Sequence, residues 1–399
     1  MKHQDIVIIG QQDWDIEIGS NCKNIALELS KNNRVLYINN PLDRRTIFQR
    51  RNESKIQKRL TLLKNGNYIE EISKNLWNLY PATVLESINW IHFKPLYNFF
   101  NKINNRRFAK AIEMCIAKLG FKNYILFNDN LISRAFYLDE WLKPSLKIYY
   151  LRDNLKDVSY FKNAMVEQEK LIHKWDMTFA NSDYLADYAK AFNKRSHMVG
   201  QGCDLSIFQD ENIEVAQELL ALSQPIIGYT GFLTGLRLDV DLLEYLAKER
   251  PHWSIVLVGP EDKAFEASAL HELPNVYFLG NKKPESLPSY IKAFSVAINP
   301  QLVNETTIGN YPRKIDEYLA MGKPVVATKT PFMDYFKTYT YLSSDKKEFV
   351  QCIELALKEN SVNKEEARKS FAQEHTWEKN VEKMYTLIKE NKAQIKGEK

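Results

Sequence analysis

The stretch YPRKIDEYLAMGKPVVAT, from Tyr311 to Thr328, predicts a short helix that leads directly into a core strand. Pro312 stands where the first helical turn begins, and a proline is tolerated there because the N–H it lacks would have no partner. Gly322 suits the left-handed residue that ends many helices. The apolar run Val325–Thr328 has the composition of a buried strand. A helix joined this closely to a strand is typical of α/β proteins.

The polar face of this helix carries groups that suit a nucleotide. Lys314 and Glu317 are three residues apart, so they share one face near the helix N-terminus. The N–H groups and positive potential at that end favour phosphate, so Lys314 would neutralise phosphate while Glu317 would accept from ribose hydroxyls. The same residues also fit a solvated face with a surface pair between Arg313 or Lys314 and Glu317, worth about 0.2–0.5 kcal/mol. The residues alone leave both interpretations open.

Strand-like apolar runs alternate with helix-like amphipathic runs, which indicates βα units and parallel sheets. The predicted strands are Asp5–Ile9, Arg34–Ile38, Tyr124–Phe127, Lys147–Tyr150, Met177–Ala180, His197–Val199, Ile226–Tyr229, Ser254–Val258, Val276–Leu279, Val296–Ile298 and Val325–Thr328. The predicted helices include Cys22–Lys31, Tyr160–Lys174, Asp239–Arg250, Leu287–Ala293 and Pro312–Met321. We expect an N-terminal domain over 1–204, a linker over 205–224, a C-terminal domain over 225–375 and a last helix over 376–399.

Length and composition fit a soluble protein of two domains, since the chain has 399 residues, of which 44% are hydrophobic and 26% charged. No run approaches the ~20 apolar residues of a membrane-spanning helix, and the N-terminus resembles a strand rather than a signal peptide. The four cysteines are scattered, which is typical of reduced thiols in the cytoplasm. A net charge of +5 does not require nucleic acid. We therefore expect a cytoplasmic protein with no nucleic-acid partner.

Two familiar classes of doubly wound protein are excluded by the glycine pattern. Gly10 is followed by QQDWDIEIG and Gly228 by YTGFLTG, so neither half carries the G-x-G-x-x-G turn of a nicotinamide dehydrogenase. The phosphate-binding pattern G-x-x-x-x-G-K-[ST] is also missing from the sequence. Long loops instead follow the first strand of each half. Such loops lie at the carboxyl ends of parallel strands, where doubly wound sheets bind ligands.

The passage PRKIDEYLAMGKPVVAT resembles the signature of the retaining family 4 glycosyltransferases of the GT-B fold. Other passages are similar to that family in the same order: FANSDYLADYAK, VGQGCDLSIF, IIGYTGFLTGLRLDVDLL, WSIVLVGP and NVYFLGNKKPESLPSYIKAFSVAINP. The resemblance implies an α/β protein with two Rossmann-like, doubly wound domains facing a cleft and a C-terminal helix that crosses back. It implies a retaining transferase that moves a sugar from a UDP- or GDP-sugar to a hydroxyl of a glycan or lipid-linked glycan. The pattern comes closer to teichuronic-acid and capsule-type transferases, which make cell-surface polysaccharide.

The resemblance also implies roles for individual residues. Glu317 matches the carboxylate that binds the donor ribose, and Arg237 falls near the basic residue that balances the leaving phosphate; Lys314, placed by its helix, would act with Arg237. The other implied donor contacts are Gly19, Ser20, Gly231, Gly259, Gly280, Gly309, Asn310 and Tyr311.

Two positions depart from the family pattern. Gly309 stands where the family often has a second glutamate, and Phe232 stands where it has an arginine. These departures affect the expected contacts to the sugar hydroxyls more than those to the nucleotide.

The N-terminal half offers further candidates. Asp13, Trp14 and Asp15 follow the first strand and could hold the acceptor, with Trp14 as a platform for a sugar ring. Packing of Trp14 and solvation of the acids is the alternative. Asp153 ends another strand and is a candidate catalytic contact to acceptor or sugar, although capping or a local ion pair with Arg152 explains it as well. Ser20 could likewise be only a helix cap.

Basic residues mixed with large apolar ones mark the segments 44–64 and 90–110. An anionic membrane surface attracts this combination, so we expect peripheral contact with the inner face of the plasma membrane. An ordinary helical excursion with its aromatics in the core is the alternative.

The seven histidines show no metal-ligand spacing, so we expect neither a metal nor a cofactor. Rival functions are a sugar-nucleotide epimerase or a phosphorylase on the same architecture, and a non-catalytic module that binds nucleotide sugar.

Overall fold

The computed structural model describes the chain except residues 16–19, 67, 153–161, 211, 305–306, 308–310 and 399. The chain forms two compact units. Unit 1 comprises Met1–Gly200 together with Asn380–Lys399, and unit 2 comprises Gln201–Lys379. The segment 205–224, expected as a linker, therefore lies within unit 2.

Unit 1 is built on a sheet of eight strands. Its strands are β1 Asp5–Ile9, β2 Arg34–Ile38, β3 Leu42–Asp43, β4 Tyr68–Ser73, β5 Leu76–Tyr80, β6 Val84–Leu85, β7 Ile125–Asp129, β8 Leu146–Leu151, β9 Met177–Ala180 and β10 Ser196–Met198. Its helices are α1 Asn21–Ser30, α2 Arg44–Arg50, α3 Ser54–Lys64, α4 Lys94–Leu119, α5 Leu138–Trp141, α6 Lys162–Lys174 and α7 Asp183–Lys190. The strand order is β10-β9-β8-β7-β1-β2-β5-β4, and β3 pairs separately with β6.

The strands of this sheet run parallel except for the edge pair β4–β5, which is antiparallel. Strand β1 lies between β2 and β7, with Ile8 opposite Tyr37 on one side and Phe127 on the other. Four of the five residues in β1 and in β2 are buried, as expected where helices cover both faces of a parallel sheet. The order of connection reverses between β1 and β7, which places a topological switch point there.

Unit 2 holds a six-stranded, fully parallel sheet in the order β13-β12-β11-β14-β15-β16. The strands are β11 Ile226–Thr230, β12 Ser254–Val258, β13 Val276–Phe278, β14 Val296–Asn299, β15 Val325–Thr328 and β16 Tyr341–Ser343. The helices are α8 Val240–Glu249, α9 Lys263–Glu266, α10 Leu287–Ala293, α11 Lys314–Ala320, α12 Lys346–Glu359, α13 Val362–Gln373 and α14 Trp377–Glu398. Its switch point lies between β11 and β14.

The last helix, α14, begins in unit 2, but its residues from Asn380 onward belong to unit 1. Within unit 1 the side-chain amide of Asn380 donates to the carbonyl of Val199 at 2.9 Å, and Asn33 donates to the hydroxyl of Tyr385 at 2.7 Å. The expected return of the C-terminal helix to the N-terminal half is thus confirmed.

The predicted core strands are confirmed to within two residues at each end, whereas the β4–β5 hairpin and strand β16 were not predicted. Strand β4 has no buried residue, so its pattern gives no alternation between buried and exposed positions. The helix expected from Pro312 begins two residues later, at Lys314. Gly322 follows it with φ of 71°, which confirms the left-handed end.

Candidate functional site

A cavity of about 390 Å³ opens at the carboxyl ends of β11 and β14 and is called the β11–β14 cavity below. This is the switch point of the unit 2 sheet, where doubly wound folds bind ligands. Among the residues that line it are Gly231, Phe232, Arg237, Tyr311, Lys314 and Glu317. Two stretches that are distant in sequence therefore meet in one cavity, and most of the sequence-predicted C-terminal contacts are among its lining residues.

Lys314 is a partly buried cation that lines this cavity. Its Nζ lies 4.9 Å from the ring centroid of Tyr229, and a Cβ placed on Gly231 would come within 3.3 Å of that nitrogen. Burial lowers the pKa of Lys314, while Tyr318 and Glu317 act in the opposite direction. An ammonium group that has lost part of its water in this way interacts more strongly with an anion that enters than a fully solvated one does.

Glu317 projects from the same helix, with 15% of its side chain exposed. Burial raises the pKa of Glu317, and the nearby charges of Arg313 and Lys314 oppose that shift. Nε of Arg313 stays 3.8 Å from Oε1 of Glu317, which is too long for a hydrogen bond. The surface pair considered from the sequence is therefore loose, and the carboxylate can accept from a ligand.

The start of α11 offers fewer N–H groups than an ideal helix N-terminus. The N–H of Arg313 donates to Tyr311, that of Ile315 to Pro312 and that of Asp316 to Arg313, at 2.9–3.1 Å. These tight bonds within the first turn use donors that would otherwise face a phosphate. Side chains rather than backbone N–H groups would therefore neutralise most of the negative charge of a phosphate.

Two glycines shape the floor of the cavity. A Cβ on Gly259 would lie 1.9 Å from the carbonyl oxygen of Gly231, so the loops after β11 and β12 can approach only because Gly259 has no side chain. Gly231 lines the cavity, whereas Gly259 supports it from behind. Gly280 has φ of 67° and open space within 4 Å of the place that a Cβ would take, and it is not among the described residues that line the cavity.

Arg237 and Phe232 come from the loop after β11. The backbone of Arg237 is fixed, because its N–H donates to Thr234 at 3.1 Å and its carbonyl accepts from Leu302 at 2.8 Å. No carboxylate in the described part of the chain pairs with its side chain. Phe232 is 54% exposed, so the position that departs from the family pattern presents a ring to the cavity instead of a cation.

A buried polar cluster lies behind α11 and was not predicted from the sequence. Asp316 is fully buried; its carboxylate accepts from the hydroxyl of Tyr311 at 2.7 Å and lies 2.7 Å from Nδ1 of His375. Tyr335 contacts the other ring nitrogen of His375 at 2.8 Å. Burial raises the pKa of Asp316, while His375 and Tyr311 oppose the shift. A carboxylate on the core side of a helix was the available signal, but His375 lies 59 residues away and gave none.

In unit 1, the switch point is occupied by protein groups. Nε of Arg152 lies 2.8 Å from Oδ1 of fully buried Asp129, and Arg152 also donates to Gln11 at 2.5 Å. The backbone N–H of Gln11 donates to Asp129 at 3.3 Å. The ion pair of Arg152 is thus with Asp129 of β7, whereas its neighbour Asp153 lies outside the described residues.

The candidate acceptor residues Asp13, Trp14 and Asp15 lie against the basic helix α3. Asp13 and Asp15 lie 2.9 and 3.2 Å from buried Arg59, and Asp15 lies 3.1 Å from Lys55. Trp14 packs edge-on against Tyr37, with the Lys23 ammonium 5.3 Å from its ring. The two acids therefore already have cationic partners.

Ser20 precedes α1 but makes no capping bond through its side chain. Its hydroxyl is buried and has no hydrogen-bond partner among the described residues. The hydroxyl of Ser20, a predicted donor contact, could therefore bond to a ligand. The other predicted contacts Gly19, Gly309 and Asn310 lie outside the described residues.

The segment that contributes β11, β14 and α11 to the cavity is similar to known glycosyltransferases. Residues 224–359, which include β11, β14 and α11, match the family model for glycosyl transferases group 1. TuaH of Bacillus subtilis (strain 168), described as a teichuronic acid biosynthesis glycosyltransferase, is 27% identical over 243 residues. The match covers 57% of this chain and spans 60% of the length of TuaH.

The chain has the GT-B fold, and its residues 224–359 are similar to a group 1 glycosyl transferase domain. The GT-B protein is similar in fold to sucrose-phosphate synthase from Thermosynechococcus elongatus, with a TM-score of 0.68 and 15% identity over 98% of this chain and 100% of that chain. HepE of Anabaena, solved in complex with UDP and glucose, gives a TM-score of 0.63 with 14% identity over 97% of this chain and 100% of that chain. The expected two-domain Rossmann-like GT-B fold is confirmed.

Within the described ranges, the GT-B protein shows no group of three or more His, Cys, Asp or Glu residues placed to hold a metal ion. None of the helices, as far as their residues are described, combines the length and apolar character needed to cross a membrane.

Proposed function

We propose that this GT-B protein moves a sugar from a UDP- or GDP-sugar to a hydroxyl of a glycan or lipid-linked glycan, with retention, in cell-surface polysaccharide synthesis. The observation that carries the proposal is the β11–β14 cavity, which joins Arg237, Lys314 and Glu317 at the switch point of a parallel sheet. The description of TuaH and the UDP bound to HepE support a polysaccharide product and a nucleotide donor.

In this proposal the diphosphate of the donor lies between Lys314 and Arg237. Lys314 supplies a cation that is partly shielded from water, and Arg237 supplies one without a carboxylate partner among the described residues. Both charges would stabilise the diphosphate as it leaves, which is the electrostatic form of catalysis. Glu317 would accept from the ribose hydroxyls, and the exposed ring of Phe232 would cover one side of the donor.

Retention would follow from positioning. If the acceptor hydroxyl approaches the anomeric carbon from the side on which the diphosphate departs, the configuration is kept without a covalent intermediate. The protein then contributes orientation and charge stabilisation rather than a nucleophile. Asp153, Gly19, Gly309 and Asn310 remain predicted contacts for this step.

A thermal-shift screen against UDP-, GDP-, TDP- and ADP-sugars tests the proposal. A ligand that binds only the folded protein stabilises it by about 2.7 kcal/mol at 100 times its dissociation constant, so the correct donor should raise the melting temperature clearly. We expect the rise with a uridine or guanosine donor and a smaller rise in Lys314→Met. If no nucleotide changes the melting temperature, both the proposal and the rival epimerase function are wrong. Release of nucleoside diphosphate only when a glycan is present would separate a transferase from a binding module.

We also propose peripheral contact with an anionic membrane. Part of the predicted basic surface is neutralised, since Arg44 pairs with Glu86 and Arg50 with Glu53. Other side chains remain exposed: Phe48, Trp90, Phe93, Leu96 and Phe99 are between 43 and 89% exposed. Exposed apolar side chains with cations beside them favour a headgroup surface.

Co-sedimentation with phosphatidylserine vesicles tests this contact. The variant Arg45→Glu/Arg51→Glu/Lys58→Glu/Lys64→Glu should lose binding, because each cation near the surface contributes about 1 kcal/mol. Charge reversal of Lys248 and Lys346 in unit 2 is the matched control. Equal sedimentation of the four-site variant and the parent would contradict the contact.

A further inference from the structure

A second cavity, of about 360 Å³, lies in unit 1 and is called the α2 cavity below. It is formed by segments that follow β2, β6 and β7, so it opens near the carboxyl edge of the sheet. Its lining includes Asp43, Arg45, Ser87, Trp90, Asn101 and Arg134. Its volume falls within the range of about 300–1,000 Å³ that is typical of small-molecule sites.

We infer that the α2 cavity binds a glycosyl residue of the acceptor that carries a carboxylate or a phosphate. The inference rests on the proposed function, because it names the acceptor of that reaction. The supporting observations are a preformed polar wall, an unbalanced cation and an exposed indole at the mouth.

The polar wall is fixed before any ligand arrives. The carboxylate of Asp43 accepts from the backbone N–H of Thr46 at 3.0 Å, from Ser87 Oγ at 2.8 Å and from Arg134 at 2.8 Å. The side chain of Asn104 bonds both backbone groups of Glu86, at 2.8 and 2.9 Å. These bonds hold the loop of Glu86 and Ser87 in one conformation, which lowers the entropic cost of binding a sugar.

A buried carboxyl group supports the wall from behind. Ser133 Oγ donates to Glu167 at 2.5 Å, and Asn101 donates to the same carboxyl at 3.3 Å. The hydroxyl of Tyr97 lies 3.2 Å from it. Both Ser133 and Asn101 line the cavity, so Glu167 fixes the orientation of two hydrogen-bonding groups that face a ligand.

The charges in the cavity do not cancel. Asp43 is paired with Arg134, while Glu86 is paired with Arg44 at 2.6 Å and with Arg107 at 2.9 Å. Arg45 contacts Gln49 at 3.2 Å, and no carboxylate of the described residues pairs with it. The cavity therefore offers a guanidinium to an anion, and a carboxylate or phosphate on the sugar fits that group.

An exposed indole completes the site. Trp90 lines the cavity and is 71% exposed, so one face of its ring is open to a sugar. Trp14, the platform expected from the sequence, is instead covered by Tyr37 and Lys23. A large aromatic face beside convergent polar groups is the usual composition of a small-molecule site.

Ligand-observed NMR on the full chain tests the inference with four probes: methyl β-glucuronide, glucose 1-phosphate, methyl β-glucoside and inorganic phosphate. We expect at least one anionic sugar to bind about tenfold more tightly than methyl β-glucoside, as a charge-assisted hydrogen bond requires. Arg45→Gln should remove that preference, and Trp90→Ala should weaken every sugar. Matched controls are Arg51→Gln and Phe99→Ala, which replace exposed side chains outside the cavity lining.

The outcomes separate this inference from the proposed function. If no sugar binds, if inorganic phosphate binds as well as the sugars, or if Arg45→Gln and Trp90→Ala bind like the parent, the α2 cavity is not the acceptor site. UDP affinity, measured in the same samples, should be equal in all variants. Normal UDP binding with no sugar binding would overturn the acceptor site alone, whereas the parent's failure to bind any nucleotide would overturn the proposed function.

Discussion

The switch points of the two sheets contain similar charged residues, but these residues differ in how closely they are paired. At the switch point of unit 1, fully buried Asp129 is paired with Arg152 at 2.8 Å. At the switch point of unit 2, Arg313 and Glu317 stay 3.8 Å apart, and the ammonium of Lys314 lies over the ring of Tyr229. The first arrangement holds its charges in a close buried pair, whereas the second holds its charges in loose pairs along the wall of a cavity.

This difference shows that topology alone does not make a ligand site. Both sheets place polar side chains at the carboxyl ends of their strands. What distinguishes them is how closely the charges are already paired, because a tightly paired buried charge gains less from a ligand than a loosely paired one does. Mutations at the first switch point should therefore change stability, and mutations at the second should change affinity.

The largest effect is expected for Asp129→Asn. It leaves the Arg152 guanidinium without its buried counter-charge, which costs about 3–5 kcal/mol of unfolding free energy. Urea denaturation followed by circular dichroism measures this loss, and the exposed pair provides the control Glu53→Gln, which should leave the midpoint unchanged. A stable Asp129→Asn protein that loses UDP affinity would reverse the comparison.

A smaller loss is expected for Gly259→Ala. The added Cβ would overlap the carbonyl of Gly231, so the floor of the β11–β14 cavity must move, at a cost of about 2–3 kcal/mol. Gly259 and Gly280 both have positive φ, but an alanine at position 280 would lie in open space and should cost only about 1 kcal/mol. The denaturation midpoints of the two variants compare the cost of the overlap with Gly231 with the cost of positive φ alone. Equal midpoints would show that the contact with Gly231 has no role.

The sequence predicted the parts of this picture that depend on local pattern. Helix α11, the strand after it and Glu317 follow from the spacing of apolar, polar and glycine residues within Tyr311–Thr328. The family resemblance added Arg237, which joins Lys314 and Glu317 in one cavity.

Pairings between distant residues could not be predicted. The contacts of Asp316 with His375, and of Asp15 with Arg59, join residues far apart in the chain, so no local pattern identifies the partner of either acid. The exposed strand β4 and the state of the two switch points likewise depend on which groups tertiary packing brings together.

Lys314 should make UDP affinity depend on pH. Lys314→Met is expected to weaken UDP by about 10–100-fold, the value of a charge-assisted hydrogen bond. Because burial lowers the pKa of Lys314, the cation is present at lower pH and is lost as pH rises, before an ordinary lysine with a pKa of ~10.4 would lose it. Calorimetric UDP affinity should therefore fall between neutral and alkaline pH in the parent but not in Lys314→Arg. The same slope in both proteins would assign the pH dependence to another group.

The central claim is that Glu317 receives the ribose of the donor, and the UDP affinity of Glu317→Gln tests it most directly. The amide keeps the shape of the side chain but loses the charge, so we expect about tenfold weaker UDP binding by calorimetry with an unchanged denaturation midpoint. Glu366→Gln, which alters an exposed carboxylate in α13 of the same unit, is the control and should bind UDP like the parent. UDP affinity in Glu317→Gln equal to that of the parent would contradict the account.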